Sequence, residues 1–261
     1  MLKYCSIGSG SSGNCHYIGY ENTNILIDAG LTGKKIEDGL KNININNLNG
    51  IFITHEHSDH IKGVGILSRK YNIPIFANLK TWQAMKDKIG EIDKRNIMVF
   101  ENDKTYSLGK IIIRPFSIPH DSSDAVGYSF YANNEKISIA TDIGMITDNI
   151  RKNLYKSKLV IIESNYDKNM LMMGPYPYNL KKRVSSELGH LSNEDCGNFC
   201  VELVNNGTKN ILLAHLSKEN NFPELAYETT KSILFENDIK IDKNINLEVL
   251  PREQISEIYK L

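Results

Sequence analysis

Short apolar runs recur along the first half of the chain and predict β-strands separated by helices. The predicted strands span residues 2–7, 15–20, 24–27, 51–53, 75–77, 97–100, 105–108 and 111–116. Between them, apolar residues at helical spacing predict helices over residues 32–40, 64–71 and 81–89, the first capped by Thr32. Strands that alternate with helices in this way indicate an α/β layered architecture.

The second half of the chain continues the strand pattern. Residues 128–131 and 136–140 flank Asn133-Asn134, a pair of residues typical of a tight β-hairpin. Two more apolar runs, 159–162 and 210–213, predict further buried strands. Together with the first half, these elements favour one α/β architecture over an all-helical or all-β protein.

Polar residues able to bind a metal ion follow several of these strands directly. Each of the following stands just beyond a predicted strand: His55, His120, Asp142, Glu163 and His215. Loops at strand ends can bring distant segments of a chain together, and binding sites are often built there. We therefore expect these five side chains to contribute to one site. The alternative is that they are capped loop ends or buried histidines satisfied by hydrogen bonds.

The densest group of such residues lies in Thr54-His55-Glu56-His57-Ser58-Asp59-His60, directly after the strand at 51–53. His55 and His57 stand two positions apart, so an extended backbone points both imidazoles to the same side, where they can bind one ion. Asp59 and His60 follow the turn and offer an oxygen and a nitrogen to a second ion. Histidine nitrogen with carboxylate oxygen suits zinc and the harder first-row metals. The alternative is a polar loop with solvated histidines.

Composition narrows the class of protein. The chain has 261 residues, of which 41% are hydrophobic, and its 31 basic residues balance its 31 acidic ones. A net charge of zero creates no general attraction for nucleic acid, so such binding would need a local basic patch. Neither a signal peptide nor a long apolar stretch is recognisable, and we expect no membrane association. Four cysteines without a CxxC pair predict thiols in a reducing, cytoplasmic compartment.

A glycine-rich loop, residues 8–14, precedes the second strand and contains Ser12 and Asn14. Such a loop either contacts a substrate phosphate or makes a tight turn that lets the backbone approach the site. Ser12 and Asn14 are therefore candidate substrate-binding residues. Asp28 also stands where a strand meets a loop, and we expect it to hold the histidine loop by a hydrogen bond.

The order of these motifs resembles the metallo-β-lactamase superfamily. The HxHxDH of residues 55–60 is followed by a lone histidine, an aspartate after a strand and a late histidine, as in that family. Within it, residues 9–14, 174–181 and 189–193 resemble the bacterial YycJ/WalJ branch, which is similar to tRNA-3′-processing and RNase J type nucleases. The resemblance implies a four-layer αββα sandwich, with residues 1–261 as a single domain.

The resemblance also implies two divalent metal ions and a set of ligands for each. Zinc is the first expectation, and manganese or iron would accept the same donors. His55, His57 and His120 would hold the first ion, and Asp59, His60 and His215 the second. Asp142 would bridge the two ions.

A binuclear site of this kind indicates a hydrolase. The resemblance implies that it is a nuclease that acts on DNA or RNA ends through a metal-bridged hydroxide. Asp59 would orient or deprotonate the attacking water. His190 is the candidate proton donor to the departing sugar oxygen, because an imidazolium is available near neutral pH. Glu163 would pair with His190 and raise its pKa, as the corresponding residues do in the similar nucleases.

The alternative is a small-molecule hydrolase of the same superfamily that acts on a thioester, lactone or cyclic phosphodiester. The segment 176–183 bears on this choice because it places basic residues among aromatic ones. Aromatic rings can stack on bases while Lys181 and Arg183 contact phosphates, so the segment is a candidate nucleic-acid edge. A solvated helix face would have the same composition.

Overall fold

The structure is a computed structural model that describes all 261 residues. It contains fourteen strands, nine α-helices and a short 3-10 helix, Lys94–Asn96. The strands are β1 (Lys3–Gly8), β2 (Cys15–Tyr20), β3 (Thr23–Ile27), β4 (Gly50–Phe52), β5 (Ile75–Asn78), β6 (Ile97–Phe100), β7 (Tyr106–Leu108), β8 (Ile111–Ser117), β9 (Val126–Ala132), β10 (Glu135–Ala140), β11 (Leu159–Glu163), β12 (Asn210–Ala214), β13 (Asn246–Val249) and β14 (Tyr259–Lys260). The helices are α1 (Gly33–Asn42), α2 (Ser58–Ile61), α3 (Val64–Tyr71), α4 (Leu79–Ile89), α5 (Asp148–Leu154), α6 (Lys168–Met173), α7 (Tyr178–Val184), α8 (Asn193–Asn205) and α9 (Pro223–Glu236).

The strands form two mixed seven-stranded sheets. The order in the first sheet is β14-β1-β2-β3-β4-β5-β6, and the order in the second is β13-β12-β11-β10-β9-β8-β7. In the first sheet, β3 to β6 are parallel neighbours, and β1, β2 and β14 are antiparallel. In the second, β10 to β13 are parallel. Parallel neighbours end at the same edge of a sheet, which is where the candidate ligands follow their strands.

The chain divides into two compact units. The first unit comprises residues 1–116, 122–135 and 251–261, and the second comprises residues 117–121 and 136–250. The core of the first unit is formed by buried side chains of β1 to β5 and of helices α1, α3 and α4, among them Ile7, Leu26, Ile51 and Trp82. The prediction of a single domain over residues 1–261 stays a prediction.

Most of the predicted elements are present with bounds within about two residues. The hairpin prediction is confirmed, since Asn133 and Asn134 join β9 to β10 with φ of 51° and 63°. Positive φ at both positions is the mark of a type I′ turn, which asparagine tolerates. Helix α4 begins two residues before the predicted Thr81, because the side chain of Asn78 caps it by accepting a hydrogen bond from the Thr81 amide.

The cysteines and the lengths of the helices bear on two other expectations, those of free thiols and of no membrane association. All four cysteines are buried and none forms a disulfide. None of the helices is long and apolar enough to cross a membrane.

Candidate functional site

The first group of candidate residues lies in the first unit, where β3 and β4 are parallel neighbours. Ile27 pairs with Phe52, so Asp28 and Ile53 are the first residues after the paired positions, and Thr54 follows within hydrogen-bonding distance of Asp28. The amide of Asp28 donates to the Phe52 carbonyl at 2.8 Å. From there the chain continues into His55, His57 and helix α2, which carries Asp59 and His60. These four residues, with Asp28 and Thr54, are called the N-terminal cluster below.

Asp28 holds the N-terminal cluster together. Its Oδ1 accepts from the Thr54 amide at 2.8 Å, and its Oδ2 accepts from the Thr54 hydroxyl at 2.8 Å. Oδ2 also lies 2.7 Å from Nδ1 of His60, and all three side chains are buried. Burial raises the pKa of Asp28, although His60 and Thr54 partly offset this. The predicted hydrogen bonding between Asp28 and the histidine loop is present, with the Asp28 carboxylate as acceptor.

The imidazoles of this cluster lie close together. The ring centroids of His55 and His57 are 4.6 Å apart, and those of His55 and His60 are 4.1 Å apart. Nδ1 of His55 lies 3.0 Å from the Thr54 hydroxyl. Nε2 of His60 lies 3.4 Å from the Asp59 carboxylate, so the oxygen and nitrogen expected to act as a pair are neighbours. Asp59 is 25% exposed, and a ligand from solvent can therefore reach it.

The second group of candidate residues lies in the second unit and follows from the register of three parallel strands. Ala140 pairs with Ile162, and Glu163 pairs with Ala214, so β10, β11 and β12 end together. Asp142, Glu163 and His215 stand at these ends. With His120 and His190, they are called the C-terminal cluster below. One ligand atom from each of Asp142, Glu163, His190 and His215 lies within 4.8 Å of the others.

Glu163 is the centre of the C-terminal cluster. Its Oε1 lies 2.8 Å from Nδ1 of His190 and 2.7 Å from Nδ1 of His215. Its Oε2 accepts from the amides of Ile143 at 2.7 Å and Leu191 at 3.1 Å. Burial alone would raise the pKa of Glu163, but His190 and His215 hold it well below its usual range. A charged carboxylate at this position fixes both imidazoles with Nδ1 turned toward it.

Asp142 lies among three histidines. Its Oδ1 is 3.7 Å from Nε2 of His120, 3.6 Å from Nε2 of His215 and 3.8 Å from Nδ1 of His190. Nδ1 of His120 is 3.2 Å from the Gly189 carbonyl, which requires a proton on that nitrogen and leaves Nε2 toward Asp142. Burial lowers the pKa of His120. Burial would also lower the pKa of His190, but Glu163 and Asp142 outweigh it and the pKa is raised.

The histidines share one feature that suits metal binding. Nδ1 of His60 faces Asp28, Nδ1 of His215 faces Glu163, and Nδ1 of His120 faces a backbone carbonyl. Metal-binding histidines are usually oriented by such an oxygen, which fixes the tautomer and presents Nε2 to the ion. Nitrogen and carboxylate donors of this kind fit zinc or a related divalent ion.

Strained backbone marks the same residues. The backbones of Asp28, Asp142 and His215 adopt φ of 59°, 59° and 57°, values that residues other than glycine rarely adopt. Each is the first or second residue after a strand, where the chain must turn sharply and still point the side chain at the cluster. Such strain is typical of functional sites.

The residues expected to bind substrate lie in different surroundings. Ser12 is exposed at the tip of the glycine-rich loop. Asn14 is fully buried. Its side-chain Nδ2 donates to the Gly10 carbonyl and lies 3.2 Å from Nε2 of His60. This position suits support of the histidine loop rather than contact with substrate, because nothing outside the protein reaches a side chain that is fully covered.

Most of the basic segment 176–183 lies in helix α7, which has no buried residue. Two of its charges are engaged. Nζ of Lys181 donates to the Met172 carbonyl at 2.6 Å, and Arg183 forms an ion pair with Asp121. Arg183 therefore tethers α7 beside His120, and its charge is partly compensated there.

Two supporting residues were absent from the predicted site. The Thr54 hydroxyl contacts Asp28, His55 and His60. The sequence feature that could have indicated this role is that Thr54 directly precedes the first histidine of the motif. Glu56 turns away from the histidines, and its Oε1 accepts from the amide and hydroxyl of Ser123, both at 2.8 Å. It thereby anchors Ser123, which belongs to the same unit.

Comparison with known proteins assigns the family. Residues 23–215 match the family described as the Beta-lactamase superfamily domain. The chain is 40% identical over 237 residues to Exodeoxyribonuclease YycJ of Bacillus anthracis, which covers 90% of both chains. It is 42% identical over 244 residues to Exodeoxyribonuclease WalJ of Streptococcus pneumoniae, which covers 92% of this chain and 91% of that protein.

Among solved structures, the metallo-β-lactamase fold protein YhfI from Bacillus subtilis superposes with a TM-score of 0.73 at 15% identity. The match covers 98% of this chain and 100% of that one. This likeness confirms the predicted fold class, an α/β four-layer αββα sandwich of two mixed sheets flanked by helices. The chain therefore belongs to the β-lactamase superfamily and has the metallo-β-lactamase fold.

Proposed function

We propose that this chain is a metal-dependent exonuclease that hydrolyses phosphodiester bonds at the ends of DNA. Two lines of support agree. Relatives at 40% and 42% identity, aligned over nine-tenths of the chain, are exodeoxyribonucleases. Both clusters also present histidine nitrogens and carboxylate oxygens in the pattern that divalent ions require. A local basic surface, rather than net charge, would attract the nucleic acid.

The proposed cofactor is a pair of zinc ions. His55, His57 and His120 would bind one, Asp59, His60 and His215 the other, and Asp142 both. The allocation of ligands to the two ions follows the family resemblance. The observation that supports metal binding is the orientation of His60, His120 and His215, each with Nδ1 directed at an oxygen atom. When bound, such ions activate a water molecule and neutralise the phosphate.

The other steps fall to side chains of this chain. Asp59 is partly exposed and would orient or deprotonate the attacking water. His190 is 22% exposed, and its Nδ1 is held by Glu163, so Nε2 is the atom that would protonate the departing sugar oxygen. The raised pKa of His190 keeps more of the imidazolium present near neutral pH, as a general acid requires.

The proposal is tested with end-labelled single- and double-stranded DNA and RNA, beside a thioester. Product lengths over time distinguish removal of nucleotides from an end from internal cutting. We expect progressive shortening of DNA, loss of activity on treatment with a chelator, and recovery on addition of zinc or manganese. Hydrolysis of the thioester with all nucleic acids intact would replace this proposal by the small-molecule hydrolase.

Replacing Asp28 by asparagine is expected to weaken metal binding by about 10- to 100-fold, because outer partners of metal-bound histidines contribute that much. Asparagine keeps the shape and tolerates the positive φ, but it loses the charge that holds Nδ1 of His60. Titration against a competing chelator measures the change. Asp38→Asn, on the exposed side of α1 in the same unit, is the control. Equal metal affinity in Asp28→Asn and the wild type would contradict the role given to Asp28.

A cytoplasmic location, expected from the unpaired thiols, stays a prediction.

A further inference from the structure

A pocket of about 460 Å³ lies beside Asp59 in the first unit. Its polar lining consists of three serines and two lysines around that carboxylate: Ser11, Ser12, Ser58, Lys62, Lys88 and Asp59. The pocket is therefore rich in hydrogen-bond donors, and it is adjacent to a residue expected to bind metal. Only Ser12 and Asp59 among these were expected to take part in function.

Backbone contacts fix the serine side of the pocket. The backbone N–H of Asn14 donates to the backbone carbonyl of Asp59 at 2.8 Å, and the backbone N–H of Gly30 donates to the backbone carbonyl of Asn14 at 2.8 Å. A side chain at Gly30 would place its Cβ 1.6 Å from the Asp59 carbonyl oxygen, so glycine is needed for this close approach. The glycine-rich loop is thereby attached to the histidine loop, and Ser11 and Ser12 are held at the pocket.

The two lysines reach the pocket from different elements. Lys62 is the residue at the C-terminal end of α2, two positions after His60. Lys88 lies in the last turn of α4, and its Nζ donates to the Glu56 carbonyl at 3.2 Å. That carbonyl belongs to the residue between His55 and His57, so the ammonium group of Lys88 lies directly at the histidine loop.

The charge balance of the pocket favours an anion. Lys62 and Lys88 form no ion pair with a carboxylate, whereas exposed lysines elsewhere, such as Lys70 and Lys110, do. Asp59 is the one acidic residue of the lining. If it binds a metal ion, its charge is compensated by that ion, and two ammonium groups and three hydroxyls remain to meet a ligand.

We propose that this pocket binds a phosphate of the DNA strand next to the phosphodiester bond that is hydrolysed. The inference rests on the proposed nuclease function and adds Lys62 and Lys88 to it as residues that position the substrate. Ammonium and hydroxyl groups donate hydrogen bonds to the oxygens of a phosphate. A second held phosphate would fix the strand relative to the metal ions and lower the KM for DNA.

The test uses Lys62→Gln and Lys88→Gln in the full chain, with Lys86→Gln as matched control. Lys86 is an exposed residue of the same helix as Lys88, but it lines a different groove. DNA binding is measured by fluorescence anisotropy at several salt concentrations, and cleavage by initial rates. Each pocket variant is expected to raise Kd and KM about tenfold, which is typical of one lost charged hydrogen bond. Lys86→Gln is expected to match the wild type.

The salt dependence provides a second readout. The slope of log K against log salt is negative, and each lost phosphate contact reduces its magnitude by about 0.7 for single-stranded DNA and about 0.9 for duplex DNA. Metal content is measured in parallel, and Lys62→Arg and Lys88→Arg, which keep the charge, are expected to restore most of the affinity. Oligonucleotides with and without a terminal phosphate show whether the bound group is the strand end or an internal phosphate.

Unchanged affinity and salt slope in both pocket variants would overturn the phosphate site while leaving the nuclease intact. A loss of affinity equal to that of Lys86→Gln would also overturn it, because general charge would then explain the effect. If the wild type neither binds nor cleaves DNA, the proposed nuclease function fails, and the phosphate site fails with it.

Discussion

Asp142→Asn is expected to lower DNA hydrolysis by on the order of 10³-fold or more and to reduce the metal content of the purified protein. Asp142 is buried, and its Oδ1 lies within 3.8 Å of His120, His190 and His215. Asparagine keeps the shape of the side chain and tolerates its φ of 59°, so the fold should persist while the negative charge is lost. Steady-state rates and elemental analysis of metal per chain measure the two effects.

The matched control for this change is Asp148→Asn, at the start of α5 in the same unit. Asp148 is fully exposed, so its replacement by asparagine should change neither the rate of hydrolysis nor the metal content. Thermal unfolding of all three proteins with and without chelator adds a stability readout, since a ligand that binds the folded state raises its Tm. Full activity and full metal content in Asp142→Asn would refute the role of Asp142 as a bridging ligand.

His190→Ala is expected to have the second largest effect, a loss of about 10²- to 10⁴-fold in DNA cleavage with metal content retained. A sugar alkoxide departs poorly without a proton, and Nε2 of His190 is the atom proposed to supply it. The imidazole is oriented for this by Glu163, which lies 2.8 Å from Nδ1. Single-turnover rates on labelled DNA measure the chemical step directly.

A substrate with a good leaving group is the control for His190. A p-nitrophenyl phosphodiester releases a stable phenolate, so it needs little protonation, and its hydrolysis should fall far less than DNA cleavage in His190→Ala. Equal losses on both substrates would mean that His190 supports the site in another way. No loss on either substrate would remove His190 from the mechanism.

The local sequence predicted most of the fold and the identity of the candidate ligands. Strand and helix positions follow from short-range periodicity, and the HxHxDH motif carries its chemistry in six consecutive residues. The elements that were not predicted include the strands β13 and β14 and the helices α2, α5, α6 and α9. Strand β14 has two residues and pairs with β1 at the opposite end of the chain, so no local pattern marks it.

The C-terminal cluster shows where prediction reached its limit. Its residues could be named because each follows an apolar strand. That Glu163 contacts both His190 and His215 depends on the register of β11 against β12, and on the position of the loop before α8. The paired residues of these two strands, such as Leu159 and Asn210, are more than fifty positions apart, and their register is set by packing of the whole sheet.

The sequence by itself determined the donor atoms, their order and the family resemblance, because side-chain chemistry and short-range spacing are local properties. Only the tertiary structure decided which nitrogen of His60, His120 and His215 faces an oxygen atom, that Asn14 is buried, and that Lys88 reaches the Glu56 carbonyl. Each of the hydrogen-bond contacts joins residues that are tens of positions apart in the sequence. Asn14 is buried because segments distant in the sequence cover it. The folded backbone brings them within hydrogen-bonding distance, and no local pattern records that distance.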